Sequence, residues 1–151
     1  MRILFETDDR LIIEDKPLFL GLVLVLFTLS CVGWTVNEVL AGAYLRAALA
    51  FAVSLGLTAI AALAVERVWL VLDRAAGRIE FRRRNAQGFS TESFPLADLA
   101  PDGVLVQSHD DTHRLALRLA SRDKPVPMTW YYQSGNHIRR CAETTSRWLR
   151  D

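Results

Sequence analysis

Apolar and polar positions along this chain change period three times, and each change marks a different kind of element. Residues Arg2 to Glu14, RILFETDDRLIIE, set two short apolar, β-prone runs around Thr7, Asp8 and Asp9. Asp and Thr are turn formers, so the pattern predicts a β-hairpin. Alternation then stops. From Pro17 to Asn37 there are 21 residues without a charge, and from Ala47 to Val65 there are 19. At about 1.5 Å per residue each run matches a hydrocarbon core of about 30 Å. Neither carries the polar stripe of a helix half-buried in a soluble domain. Two transmembrane helices are predicted, over about 17–37 and 43–65.

Beyond Glu66 the period returns to two. VWLVLD and RIEFRR flank a turn at Arg74 to Gly77, and FSTESFP, VLVQS, RLALRLA and VPMTWYY follow. Six short strands predict a small antiparallel barrel or sandwich over residues 66–151. Pro125 and Pro127 place the last strand at an edge, because proline has no N–H to donate to a ladder. The final segment shifts to a helical period. Ile138, Cys141, Ala142, Thr145, Trp148 and Leu149 recur at three- and four-residue steps, with Asn136 at the N-cap position. This predicts an amphipathic helix over 137–150, with Arg139, Arg140, Glu143, Arg147 and Arg150 on its opposite face. Residues 1–16 form a separate hairpin expected to pack on this cytoplasmic part, since a lone hairpin is marginal in water.

VWLVLDRAAGRIEFRRR, then FPLADL, then a hairpin and a closing helix, resembles small bacterial membrane proteins that carry a pleckstrin-homology-like (PH-like) domain after a two-helix hairpin. The resemblance covers residues 66–151 and the membrane hairpin in outline. It implies a bent antiparallel sheet of seven strands plugged by the C-terminal helix. Six are counted here, and the N-terminal hairpin is the candidate for the missing sheet edge. The fold class expected is a membrane α+β protein: a transmembrane helix pair joined to a PH-like β-domain.

Charge fixes the expected orientation. Glu38 and Arg46 are the only charges joining the two apolar runs, whereas Arg67, Arg74, Arg78, Arg82, Arg83 and Arg84 follow the second closely. The positive-inside bias then places both termini in the cytoplasm of a bacterial inner membrane. Trp34 and Tyr44 at the outer boundary and Trp69 at the inner one are expected interface anchors. The five acids of the first sixteen residues argue against a cleaved signal peptide. Cys31 falls inside the first span and Cys141 on the reducing cytoplasmic side, where the two cannot readily meet, so no disulfide is expected.

Candidate chemistry is sparse. QSHDDTHR, Gln107 to Arg114, sets His109 and His113 around Asp110 and Asp111, a composition that can bind a divalent ion if the side chains converge. The flanking valines and leucines set the register, with Val106 opposite Leu115, Gln107 opposite Arg114 and His109 opposite Thr112. That sends the histidines to opposite faces, because side chains alternate along a strand. The stretch is expected to be a turn. His137 and Cys141, four apart on the final helix, have the spacing of a base and a thiol nucleophile. Cys141 nonetheless falls within the apolar stripe, where a free cysteine packs as a small hydrophobe.

Two features point to binding. Arg82 and Arg84 on an outward strand face, with Arg83 between them, can meet a partner or anionic lipid headgroups, or can be a solvated strand. Ala48, Ala52, Gly56 and Ala59 form a small-residue ridge that lets another helix approach closely. The first span is the simplest partner for it, and a helix of another protein is the alternative. No cofactor, metal, catalytic residue or small-molecule substrate is indicated. The 14 basic and 11 acidic residues of 66–151 give too little positive charge, and no motif, for nucleic acid. The expectation is a non-enzymatic accessory subunit or assembly factor of a larger membrane complex, such as a photosynthetic or respiratory one, with membrane lipids and complex subunits as partners. The alternative is an anionic-lipid-binding module that senses the membrane surface.

Overall fold

The computed structural model describes residues 1–151, except for the side chains at 18–20, 61, 63 and 64. Two compact units emerge. One holds residues 1–16 together with nearly all of 67–151, and the other is essentially 17–66.

The first unit begins with the hairpin β1 (Arg2–Glu6) and β2 (Arg10–Asp15). Thr7 closes the turn: its hydroxyl donates to the Arg10 carbonyl and accepts from the Arg10 N–H. After the helical segment the chain returns as β3 (Arg67–Asp73), β4 (Arg78–Asn85) and β5 (Gly88–Pro95), in a five-stranded antiparallel sheet of order β1-β2-β3-β4-β5. β2 pairs with β3 along its whole length, from Arg10 opposite Asp73 to Asp15 opposite Val68. The helical segment is therefore an insertion between two neighbouring strands of one sheet.

A second sheet is built from β6 (Leu99–His109), β7 (Thr112–Leu119) and the two-residue strands β8 (Val126–Pro127) and β9 (Gln133–Ser134). Of the predicted sixth strand, VPMTWYY, only Val126–Pro127 forms, and β9 follows just beyond its end. Pro125 and Pro127 remove two ladder donors, leaving pairing only at Ala116–Pro127 and Leu117–Val126 before the chain turns away. β6 starts five residues earlier than its alternation predicts, through an irregularity between Leu99 and Val104. Gly103 permits it, since a Cβ there would sit 2.7 Å from the Ala100 carbonyl oxygen. Of the expected barrel or sheet pair, the barrel is corrected: no closed barrel forms, and the strands divide between two antiparallel sheets.

Helix α3 (His137–Arg150) covers the core with the predicted stripe, burying Ile138, Cys141, Ala142, Thr145 and Trp148. Asn136 occupies the N-cap position, but its side chain makes no capping hydrogen bond. The core joins Leu11, Ile13, Val68, Leu70, Leu72, Ile79 and Phe81 of the first sheet to Leu115, Leu117 and Leu119 of the second. Trp148 is fastened at both ends. Its indole N–H donates to the Thr7 carbonyl at 2.6 Å, and the Arg74 guanidinium stacks over its ring and donates to its carbonyl.

The second unit is an antiparallel pair, α1 (Leu18–Leu40) and α2 (Tyr44–Ala64). Gly21–Leu40, 20 residues, is long and apolar enough to cross a membrane. The described apolar part of α2, Tyr44–Ile60, is shorter, and positions 61, 63 and 64 of the predicted second span lie outside the described side chains. Four hydroxyls within the pair are satisfied internally: Ser30, Thr35, Ser54 and Thr58 each donate to the carbonyl four residues back, at 2.8–3.0 Å.

Removal of residues 2–14 should sharply destabilise the first unit. Leu11 and Ile13 are fully buried and contribute about 2 kcal/mol each, so the melting temperature of the full chain in detergent should fall by at least roughly 10 °C. An unchanged melting curve would show that the hairpin does not belong to the fold.

Candidate functional site

The most concentrated polar chemistry lies at the end of β2, where IIED brings two acids to the edge of the helical insertion. Glu14 is fully buried and Asp15 nearly so, at 0% and 1% exposure. Glu14 accepts from three cations: Arg2 at 2.9 Å, Lys16 at 3.3 Å and Arg67 through its Nε at 2.6 Å and a second nitrogen. Burial by itself pushes the Glu14 carboxyl up, but the hydrogen bonds from Arg2, Arg67 and Lys16 outweigh it and hold the group below the usual carboxylate value. Asp15 forms an ion pair with the Met1 amino group at 2.8 Å through one oxygen and with the other accepts from the Tyr131 hydroxyl and the Gln133 amide, the latter at 2.6 Å. Gln133 in turn meets His137 Nε2 at 3.1 Å. The cluster knits β1, β2, β3, β9 and α3 together. Its acids are consumed by cations and donors, which makes it a structural joint rather than a place for substrate.

The β6–β7 turn has the register dictated by its apolar flanks: Val106 faces Leu115, Gln107 faces Arg114 and His109 faces Thr112. His113 bonds to the Ser108 hydroxyl at 2.9 Å, while His109 lies against the Tyr132 ring. Asp110 takes a positive φ of 50°, which Asp tolerates in a tight turn. Among the described residues no group of three or more His, Cys, Asp or Glu side chains is placed to hold a metal.

Cys141 is buried in the core, and burial raises its thiol pKa. Burial lowers that of His137, the Met1 amino group adds to this, and Asp15 opposes it. A thiol held protonated beside a histidine held neutral is a poor nucleophile pair.

The arginine run does not present three free cations. Arg82 is tied to the buried Glu80, at 2.6 and 2.8 Å, and Arg78 holds the other Glu80 oxygen at 2.9 Å. Arg83 turns toward the core side and donates to the Pro127 carbonyl at 3.4 Å. Of the three arginines expected to meet lipid or a partner, Arg82 and Arg83 are thus engaged within the chain, while Arg84 is exposed.

Of the expected interface anchors, Trp34 and Tyr44 are exposed near the joined ends of the helix pair, with the Trp34 indole donating to Glu38 at 3.0 Å. Trp69 lies on strand β3, with the Arg67 guanidinium 4.4 Å from its ring.

The helix pair gives a second correction. Ala48, Ala52, Gly56 and Ala59 are all exposed, whereas Ala47, Ala50 and Ser54 are buried against α1. At about 100° per residue these stripes lie on nearly opposite faces of α2. On α1 the less exposed positions Gly21, Leu24, Thr28, Cys31, Thr35 and Glu38 alternate steps of three and four, the spacing of a coiled-coil seam. The first span is therefore not the partner of the predicted ridge. α2 carries two small-residue stripes, and the one at three- and four-residue steps, ending in Ser54, forms the seam. A Cβ at Gly56 would meet nothing within 4 Å among the described residues, so no contact among them requires glycine there.

Neither a family model nor a curated protein sequence matches this chain.

The buried carboxylate makes stability depend on pH in a defined direction. With the folded pKa of Glu14 depressed, its contribution is complete above the usual value near 4.5 and is lost as pH falls through the folded value. Replacing Glu14 with Gln strands three cations around a neutral amide. It should cost about 3 kcal/mol at neutral pH, the low end of the range because those cations are partly exposed. Melting of wild type and Glu14→Gln across acidic pH should show that gap narrowing as pH falls. A constant gap would separate Glu14 from the stability of the sheet.

Proposed function

We propose that this chain is a non-enzymatic accessory subunit or assembly factor of a larger membrane protein complex. In this reading α1 and α2 both cross the bilayer as a two-helix anchor, both termini are cytoplasmic, and the sheet unit with its closing helix is a PH-like domain.

The observation that carries the reading is the ridge Ala48, Ala52, Gly56 and Ala59, exposed on the face of α2 turned away from α1. Glycine within a helix costs about 1 kcal/mol relative to alanine, and nothing among the described residues uses the space at Gly56. Small residues in line let a second helix come close, which is how helices associate where lipid offers no hydrophobic drive. The exposed side chains beside the ridge, among them Leu45, Leu49 and Leu55, are apolar and suited to lipid or to such a helix. The sheet unit contributes a compact scaffold whose polar joint is internally satisfied. It gives the anchor a cytoplasmic body to present to the rest of an assembly.

The test is purification of the full chain at native expression in mild detergent, beside the double variant Ala52→Leu, Gly56→Leu. Wild type should bring a stoichiometric set of subunits and migrate above its own mass. The variant should lose them while keeping its melting temperature, because neither position faces α1. A wild-type chain that migrates alone, or a variant that keeps the same companions, would sink the proposal.

A further inference from the structure

The first unit carries one dense set of uncommitted positive charge, and it is not on β4. Arg139, Arg140, Arg147 and Arg150 of α3 are all exposed. Among the described residues none of these guanidinium groups has an ion-pair, hydrogen-bond or ring partner. Elsewhere in the unit the basic side chains are largely committed: Arg2, Lys16 and Arg67 to Glu14, Arg78 and Arg82 to Glu80, Arg83 to Pro127, and Arg114 to Gln107 and Tyr132.

Helical geometry gathers the four. At about 100° per residue they fall within one arc of roughly 100°, and from Arg139 to Arg150 they run for about 16 Å along the axis. Glu143 lies in the same arc and Asp151 follows it, so the ridge stays net positive. The opposite side of α3 is locked into the core through Ile138, Cys141 and Trp148. The arginines therefore stand on a rigid support and do not have to be ordered on binding. Arg139 and Arg150 also line a groove of about 400 Å³ with Val106, Ala142, Glu143 and Ser146. It offers guanidinium groups and a hydroxyl together on an open surface.

We propose that the arginine face of α3 docks on anionic lipid headgroups. Guanidinium groups bind phosphate oxygens in bidentate fashion and shed their hydration more readily than ammonium groups do. Four of them in line match a surface of repeated phosphates. A lipid surface is favoured over an acidic protein because the chain carries a helix able to cross a membrane, which keeps this unit and a bilayer at high effective concentration. The inference rests on the membrane-anchored reading, but its test does not involve companion subunits, so the two can fail separately.

The experiment holds the full chain in nanodiscs of phosphatidylcholine and measures sedimentation with added vesicles, either pure phosphatidylcholine or containing phosphatidylglycerol. Binding should require phosphatidylglycerol and weaken as salt is raised. At about fivefold per basic residue, the variant with all four arginines replaced by Gln should bind well over tenfold more weakly. The four-Lys variant should retain most of the affinity, and Gln at 82–84 should change it little. An unchanged melting temperature shows that the Gln variant is folded; if it is not, the pairs Arg139/Arg147 and Arg140/Arg150 are replaced separately. Equal binding by the Gln variant, or no dependence on phosphatidylglycerol, overturns the proposal. Displacement by millimolar glycerol phosphate would reveal a single phosphate site, and preference for polyglutamate over vesicles an acidic protein partner. Either would overturn docking on a lipid surface.

Discussion

Everything else in this protein depends on how Glu14 is held. Its carboxylate is taken wholly out of water, an arrangement that survives only if the charge is matched at short range. Arg2 and Lys16 lie on or beside the same hairpin, but Arg67 is separated from Glu14 by the entire helical segment. That pair reinforces the ladder between the strand that ends before the helices and the strand that begins after them. With Asp15 opposite Val68 in the ladder, the helical excursion must leave and return at adjacent positions of one sheet. A two-helix hairpin, whose ends meet, satisfies that demand; an odd number of such helices does not.

This constraint organises the division of labour. The apolar face of the first sheet is closed by α3 and the second sheet. Trp148 links the tip of the first hairpin to Arg74 of the next, so α3 is fixed at the same hairpins that bracket the insertion. What is left over after these internal satisfactions lies on two surfaces. One is the small-residue back of α2, and the other is the arginine face of α3. Both features are costly without an external partner: glycine in mid-helix lowers helix stability, and unpaired like charges repel one another.

Much of the fold was legible from periodicity. The hairpin turn at Thr7 to Asp9, the boundaries of α3 and the register of β6 with β7 follow from local pattern, because apolar alternation admits few alternatives. Long-range effects were not legible. Strand alternation alone could not reveal that Glu80 takes up Arg82, since that depends on Glu80 being buried beside it. Nor could spacing in α2 decide between two small-residue stripes, because both repeat acceptably on a helix. Hydroxyls at Ser54 and Thr58, which favour the less apolar side of a helix, were the available signal. The IIED sequence carried a hint too: two acids ending a buried strand must find cations, and Arg67 waits at the start of the next one.

In the proposed reading one sheet is interrupted by a hairpin that crosses the membrane and returns. Single cysteines at Asp8, Gly42 and Asp110, introduced into a chain whose own Cys31 and Cys141 are replaced, test it in sealed inverted membrane vesicles with an impermeant thiol reagent. The account predicts that positions 8 and 110 are labelled together from outside the vesicle, while position 42 is protected until detergent is added. Labelling of all three alike, or of 42 together with 8, would contradict it.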